Sequence, residues 1–325
     1  MTTTTATPAG LAVATRGLTK RFGSRTVVDH LDIAIPAGSV CGFVGPNGAG
    51  KTTTIRMLLG LIRPTEGTGT VLGEPLTNPA GYLPRVGALV EAPAFYPTLS
   101  GRANLLVLAR LGGFDAGQVD QALERVGLAE RSGDAFKRYS LGMKQRLGIA
   151  AALLGTPSLL VLDEPANGLD PAGIVEVRRL MRSFADEGIT VFVSSHLLGE
   201  IEHICDHLLM IQQGKLAFQG AVDELFATQI AELLARPEQP EQATALIALV
   251  EQAGHRARIA VEEPPGTLAI DADASWAADL NRLATAAGIT LVHLSERPRR
   301  LEEAFFALTG GANGDVGAGA PRGVL

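Results

Sequence analysis

The sequence predicts an α/β fold built around a parallel sheet, carrying an inserted helical subdomain and followed by a small C-terminal α+β appendage. Three observations lead there. Short runs rich in valine, isoleucine and leucine, at Ser39–Val44, Ser158–Leu162 and Ile189–Ser194, read as strands buried on both faces, the habit of parallel sheets. Helical patterns follow them at about Gly50–Leu61, Pro171–Glu187 and Leu197–Cys205, the alternation of βαβ units. A glycine-rich stretch separates the first of these strands from its helix. Reactive groups in such sheets gather at the carboxyl ends of the strands, so the chemistry is expected there.

Taken in order, residues 1–15 are expected to form a flexible tail, because Met1–Pro8 has neither the basic nor the apolar segment of a secretory signal. The main domain is expected over 16–220. Between about Pro93 and Gly155 the pattern is helical throughout, with Ser100 and Ser140 as helix openers, which predicts the inserted subdomain at about 93–155. After Gly220 come an alanine-rich helix, a break at Pro237 and Pro240, and short strands near Arg258–Val261, Leu268–Ile270 and Thr290–Leu294. These predict an accessory domain over 221–310. The glycine-rich remainder, 311–325, has no period and is expected to lack fixed structure. No internal repeat is present.

A chain of 325 residues has room for one large domain and a smaller one. Its formal charge of −6, with both signs mixed along the chain, gives no basic footprint for nucleic acid. Cys41 and Cys205, far apart in sequence and in apolar settings, fit a reducing cytoplasm better than a disulfide framework. The longest apolar stretch, Leu147–Leu162, is broken by Gly155-Thr156-Pro157-Ser158 and is too short for a membrane span. Any service to a membrane would therefore be by docking.

Gly45-Pro46-Asn47-Gly48-Ala49-Gly50-Lys51-Thr52 matches the phosphate-binding P-loop, with a buried strand before it and a helix after it. Glycines let successive backbone N–H groups converge on phosphate oxygens, and the helix N-terminus favours negative charge. Lys51 is expected to reach the β- and γ-phosphates, Thr52 to ligate Mg2+, and Thr53 to belong to the same cradle. The bland reading is a glycine-rich turn, and the strand-loop-helix context weighs against it.

Leu159-Leu160-Val161-Leu162-Asp163-Glu164 is an apolar strand that ends abruptly in two acids. Asp163 suits a role at the metal, directly or through water, and Glu164 suits the base that orients the attacking water. A lone acidic pair would pass as an ordinary strand end. The P-loop upstream makes the functional reading the better one.

At this point the residues from about Arg16 to Gly220 resemble the ABC ATPase family. Tyr139-Ser140-Leu141-Gly142-Met143 stands at the family's signature position, with Ser140 and Gly142 where the family places its γ-phosphate contacts. Leu141 and Met143 depart from the usual Leu-Ser-Gly-Gly-Gln. Asn167-Gly168-Leu169-Asp170 matches the aspartate loop, and Ser194-Ser195-His196 places His196 where the family has its γ-phosphate sensor. Phe22 lies where the family stacks an aromatic ring on adenine. Glu91 stands where the family normally has glutamine, and could still ligate Mg2+ while adding negative charge. The resemblance implies ATP and Mg2+ as cofactors, a head-to-tail homodimer in which the signature of one chain closes over the P-loop of the other, and integral membrane permease subunits as partners. It implies a place at the cytoplasmic side of the membrane.

Glu91, the Tyr-Ser-Leu-Gly-Met signature and the run Leu301–Thr309 together look like the bacitracin-type and lantibiotic-immunity branch, which implies export of a peptide, antibiotic or lipid-like compound. A soluble ABC ATPase in iron–sulfur assembly, translation or DNA maintenance is the alternative. A GTPase is disfavoured, because no lysine here follows an asparagine as guanine readout requires. His203, Cys205, Asp206 and His207 are read as structural rather than metal-binding, and Arg297, Arg299 and Arg300 as a solvated helix entrance.

Overall fold

A computed structural model describes residues 10–91, 94–227, 231–260, 263–297, 301 and 304–305. The chain divides into two compact units, one reaching to Val222 and the other spanning Asp223–Ala304. Residues 1–9 of the N-terminal tail expected over 1–15, the expected tail 311–325, the residues Arg299 and Arg300, and most of Leu301–Thr309 lie outside the described residues.

The first unit opens with β1 (Leu11–Phe22), β2 (Arg25–Leu31) and β3 (Ala34–Pro36), followed by β4 (Val40–Val44), α1 (Lys51–Leu58), β5 (Glu66–Val71) and β6 (Glu74–Pro75). Strands β2, β1, β5 and β6 lie side by side in that order, antiparallel, with β3 also paired to β1. Residues 11–15, expected in a flexible tail, are therefore strand. The reason is burial: Ala12, Val13 and Thr15 are removed from water against β3 and β5, which outweighs the polar threonines around them.

Next come α2 (Pro79–Tyr82), β7 (Val86–Leu89), α3 (Gly101–Gly112), α4 (Gly117–Arg125), α5 (Leu141–Leu153), β8 (Leu159–Asp163), α6 (Pro171–Asp186), β9 (Thr190–Ser195), α7 (Leu198–Ile201), β10 (His207–Gln212) and β11 (Lys215–Ala221). The second sheet runs β11-β10-β4-β9-β8-β7. Its five strands from β10 to β7 are parallel, and β11 closes it as an antiparallel edge. All residues of β4, β8 and β9 are buried, as expected of strands covered on both faces.

The inserted block contains three α-helices, α3, α4 and α5, separated by loops. Ser100 and Ser140 do open two of them: each hydroxyl accepts the backbone N–H three residues on, from Ala103 and Met143. The helix expected over Leu197–Cys205 is a single turn, α7. Asp206 anchors the chain beyond it, accepting the Val40 N–H and pairing with Arg182, so the segment turns early into β10. Among the described residues no group of three or more His, Cys, Asp or Glu is placed to hold a metal.

The second unit begins inside α8 (Val222–Ala227) and contains β12 (Glu232–Pro237), α9 (Ala243–Gln252), β13 (Ala257–Ile259), β14 (Leu268–Asp271), α10 (Ala277–Ala286) and β15 (Leu291–Glu296). Its sheet has the order β13-β14-β12-β15, all antiparallel, over a core that includes Leu233, Leu246, Val250, Ile270 and Leu280. Only the first part of the expected alanine-rich helix is helical. Glu232–Pro237 is instead an inner strand, because pairing on both sides with β14 and β15 outweighs the helix propensity of its alanine and leucines.

Candidate functional site

The site grows from the carboxyl ends of β4, β8 and β9, which are hydrogen-bonded neighbours with β4 beside β9 and β9 beside β8. The loop after β4 needs glycine at two positions where neighbouring backbone leaves no room for a side chain. A Cβ on Gly45 would fall 2.2 Å from the Ile211 carbonyl oxygen, and Gly50, at φ 109, would set one 2.8 Å from that of Val27. With neither Cβ present, the loop folds tightly and delivers the chain into α1, whose first residue is Lys51.

Lys51 is 6% exposed, and its Nζ donates to the Gly45 carbonyl at 2.6 Å while lying 3.3 Å from Glu164 Oε1. Few folds bury a lysine, and one that does must surround it with oxygens. These oxygens come from the loop and from the end of β8. A cavity of about 450 Å3 opens over them, lined by Asn47, Gly48, Ala49, Gly50, Lys51, Thr52 and Thr53 from the loop and α1, by Glu164, Asn167 and His196 from the ends of β8 and β9, and by Arg25 and Val27 from β2.

Strand β8 ends at Asp163, buried to 7% exposure, and Glu164 turns out of it at φ 51. A non-glycine residue in the left-handed region costs about 1–3 kcal/mol and persists only where its surroundings hold it. Here they do. The Glu164 N–H donates to the Ser194 carbonyl and to Ser194 Oγ, and the Glu164 carboxylate lies 2.7 Å from His196 Nδ1 and accepts the His196 backbone N–H at 3.3 Å. An ionised carboxylate only accepts, so with Glu164 ionised the His196 Nδ1 carries the proton in that contact.

Other expected site residues lie elsewhere. Ser140, Gly142 and Asp170 line a second cavity of about 440 Å3 together with Leu141, Arg146, Gly168 and Glu176. Asp170 also caps α6, accepting the Gly173 N–H at 2.9 Å. Phe22 is 52% exposed at the end of β1, with Lys20 Nζ 5.1 Å from its ring centroid, and does not line the first cavity. Glu91 is also absent from that lining. At φ 66 its carboxylate turns to the Arg56 guanidinium on α1, and this ion pair holds it at 65% exposure. Pro46 presents its carbonyl toward Lys51 rather than facing the cavity.

Arg25, Val27 and Ser194 are residues that sequence reasoning passed over. Arg25 and Val27 sit on an antiparallel hairpin strand with no motif of its own. Ser194 is one of two adjacent serines that end β9, and only the pairing of β9 with β8 sets it beside Asp163. For a divalent cation the Thr52 hydroxyl and Asp163 carboxylate are hard oxygen donors, and a hydroxyl-carboxylate pair completed by phosphate oxygens and water fits Mg2+ better than an all-protein cage would.

Residues 28–167 match the family model described as ABC transporter. The chain is 43% identical over 302 residues to the bacitracin transport ATP-binding protein BcrA of Bacillus licheniformis, covering 92% of this chain and 97% of that protein. It is 40% identical over 221 residues to the lantibiotic transport ATP-binding protein SrtF of Streptococcus pyogenes, covering 66% and 96%. Among solved structures, the ATP-binding subunit of an ABC transporter superposes with a TM-score of 0.60 at 27% identity, over 66% of this chain and 92% of that one.

Proposed function

This chain belongs to the ATP-binding subunits of ABC transporters and is an ATP hydrolase of that family, and we propose that it works as a pair of identical chains powering export of a peptide, antibiotic or lipid-like compound through separate integral membrane permease subunits. The observation that carries the catalytic part is the meeting of Lys51, Glu164 and His196 in the lining of the first cavity. The cargo class rests on likeness to proteins named for bacitracin and lantibiotic transport. The same likeness weighs against a soluble ABC ATPase of iron–sulfur assembly, translation or DNA maintenance.

In this reading the loop from Gly45 to Thr53 takes the phosphates of ATP on its backbone N–H groups at the start of α1. Lys51 exchanges the Gly45 carbonyl for β- and γ-phosphate oxygens, a trade of a neutral acceptor for charged ones. Mg2+, held by Thr52 and Asp163, would neutralise charge on the phosphate oxygens. Glu164 orients and deprotonates the attacking water, and His196 keeps the Glu164 carboxylate aimed while remaining within reach of the γ-phosphate. Most of the rate gain then comes from positioning and fixed charge.

Ser140, Gly142 and Asp170 line a cavity distinct from the one Lys51 lines, which favours a site completed by a second copy: the signature of one chain faces the P-loop of the other. No helix among the described residues is long and apolar enough to cross a membrane. In this reading the bilayer partner is a separate subunit, on which the chain docks from the cytoplasmic side. Glu91, paired with Arg56, is proposed to exchange toward the nucleotide when that partner moves.

Purification of the tagged chain in mild detergent with ATP present tests the transport reading. Recovery of an integral membrane protein in stoichiometric amount is the expected result. Recovery only of ribosomes or of soluble assembly factors would replace transport with the soluble alternative.

A further inference from the structure

Ser194 is buried to 0% exposure on β9, in register with Asp163 on β8. Its single hydroxyl makes two bonds of opposite sense: it donates to Asp163 Oδ1 at 2.5 Å and accepts the Glu164 N–H at 3.0 Å. A hydroxyl can do both at once, whereas a methyl can do neither. The first bond fixes the rotation of the Asp163 carboxyl plane. The second pins the peptide at which the chain leaves β8 for the left-handed turn that aims Glu164 at Lys51 and His196.

The neighbouring serine cannot take over, because Ser195 Oγ accepts the Leu197 N–H at 3.0 Å and donates to the Leu197 carbonyl at 3.3 Å. Nor does the Glu164 bond to the Ser194 carbonyl replace the hydroxyl, since that bond reaches no carboxylate.

We infer that Ser194 is a positioning residue for ATP hydrolysis, which through one hydroxyl sets the metal-side acid Asp163 and the base Glu164 in a fixed relation. The inference rests on the ATPase reading above. In the closed site the two acids must act on opposite sides of the same phosphoryl group, one at its oxygens and one at the incoming water, and an error of about 1 Å in either costs on the order of 100-fold in rate. Ser194 ties the Asp163 carboxyl plane to the Glu164 peptide, so that the metal-side acid and the backbone from which the base extends are set together.

The test compares Ser194→Ala, Ser194→Thr and the wild-type chain by two readouts. One is affinity for a non-hydrolysable ATP analogue, measured by titration with Mg2+ and again with EDTA. The other is the steady-state ATPase rate. For Ser194→Ala the affinity in EDTA is expected within about twofold of wild type, because the phosphate loop is untouched, while the gain in affinity on adding Mg2+ shrinks at least about fivefold and kcat falls at least about tenfold. Ser194→Thr keeps the hydroxyl and is expected to keep the gain.

A full Mg2+-dependent gain in Ser194→Ala would overturn the inference, as would its loss in a Ser194→Thr chain that binds normally in EDTA. Should Ser194→Ala fail to fold, Ser194→Cys, whose thiol is a weak donor, takes its place with the same expected loss and the same overturning result. A wild-type chain that bound no nucleotide in either buffer would instead refute the ATPase reading itself.

Discussion

The two units of this chain are built from the same materials, an inner sheet with helices on it, yet they break the rules of packing to different degrees. Among the described residues, every non-glycine position at positive φ, including Glu91 and Glu164, falls in the first unit, while the second uses only glycines there. Among the described residues the first unit also buries two charged side chains, Lys51 and Asp163, and several hydroxyls on different elements, whereas the second buries one polar side chain, Thr267, already satisfied by the Pro264 carbonyl. A protein interior charges heavily for such features unless partners surround them. Those of them that meet beyond the carboxyl ends of β4, β8 and β9, namely Lys51, Asp163, Glu164 and Ser194, mark where the fold gives up stability for chemistry. The second unit, clean in these respects, is organised for packing.

Three substitutions sharpen that contrast. The largest effect on stability is expected from Leu246→Ala in the core of the second unit, where a fully buried leucine is lost. It should cost about 2–5 kcal/mol in the unfolding of that unit, read by denaturant titration, while nucleotide affinity stays within twofold. A parallel loss of nucleotide binding would mean that the second unit takes part in the site. Lys51→Ala is the mirror case. Removing a cation from the phosphates should cost about 1.5–3 kcal/mol of binding, roughly 10- to 150-fold in affinity by fluorescence titration, and unaltered affinity would remove Lys51 from the site. The smallest effect is expected for Arg56→Ala. Its pair with Glu91 is exposed on both sides, so the loss in stability should stay under about 1 kcal/mol, and a shift well beyond that would make the pair part of the architecture.

The same contrast explains what the sequence made legible. Strands β4, β8 and β9 read well because burial on both faces leaves an unbroken apolar run, and the P-loop and acidic strand end interrupt those runs with residues that packing alone never asks for. The antiparallel strands β1, β2 and β5 carry polar residues throughout and announce little, so β1 passed for a tail in part. Strand β12 passed for helix because Ala235 and its leucines are good helix formers, and only pairing with β14 and β15 makes them strand. In the site, Lys51, Glu164 and His196 were each legible from a motif. The bond from Ser194 to Asp163 was not, because it depends on the register of two strands that are about thirty residues apart in sequence. The turn of Glu91 toward Arg56 was equally hidden, since it joins a loop to a helix through a side-chain contact.

Glu164 carries the catalytic claim, and Glu164→Gln tests it most directly, because the substitution keeps the size and the hydrogen-bonding reach of the side chain while removing the base. ATP turnover by the purified variant, measured beside the wild type with ATP binding followed on the same sample, is predicted to fall about 100- to 10,000-fold while ATP remains bound, with the chain sedimenting as a dimer in Mg-ATP. Turnover equal to wild type would contradict the account, since the group held by Lys51 and His196 would then not be the one that activates water.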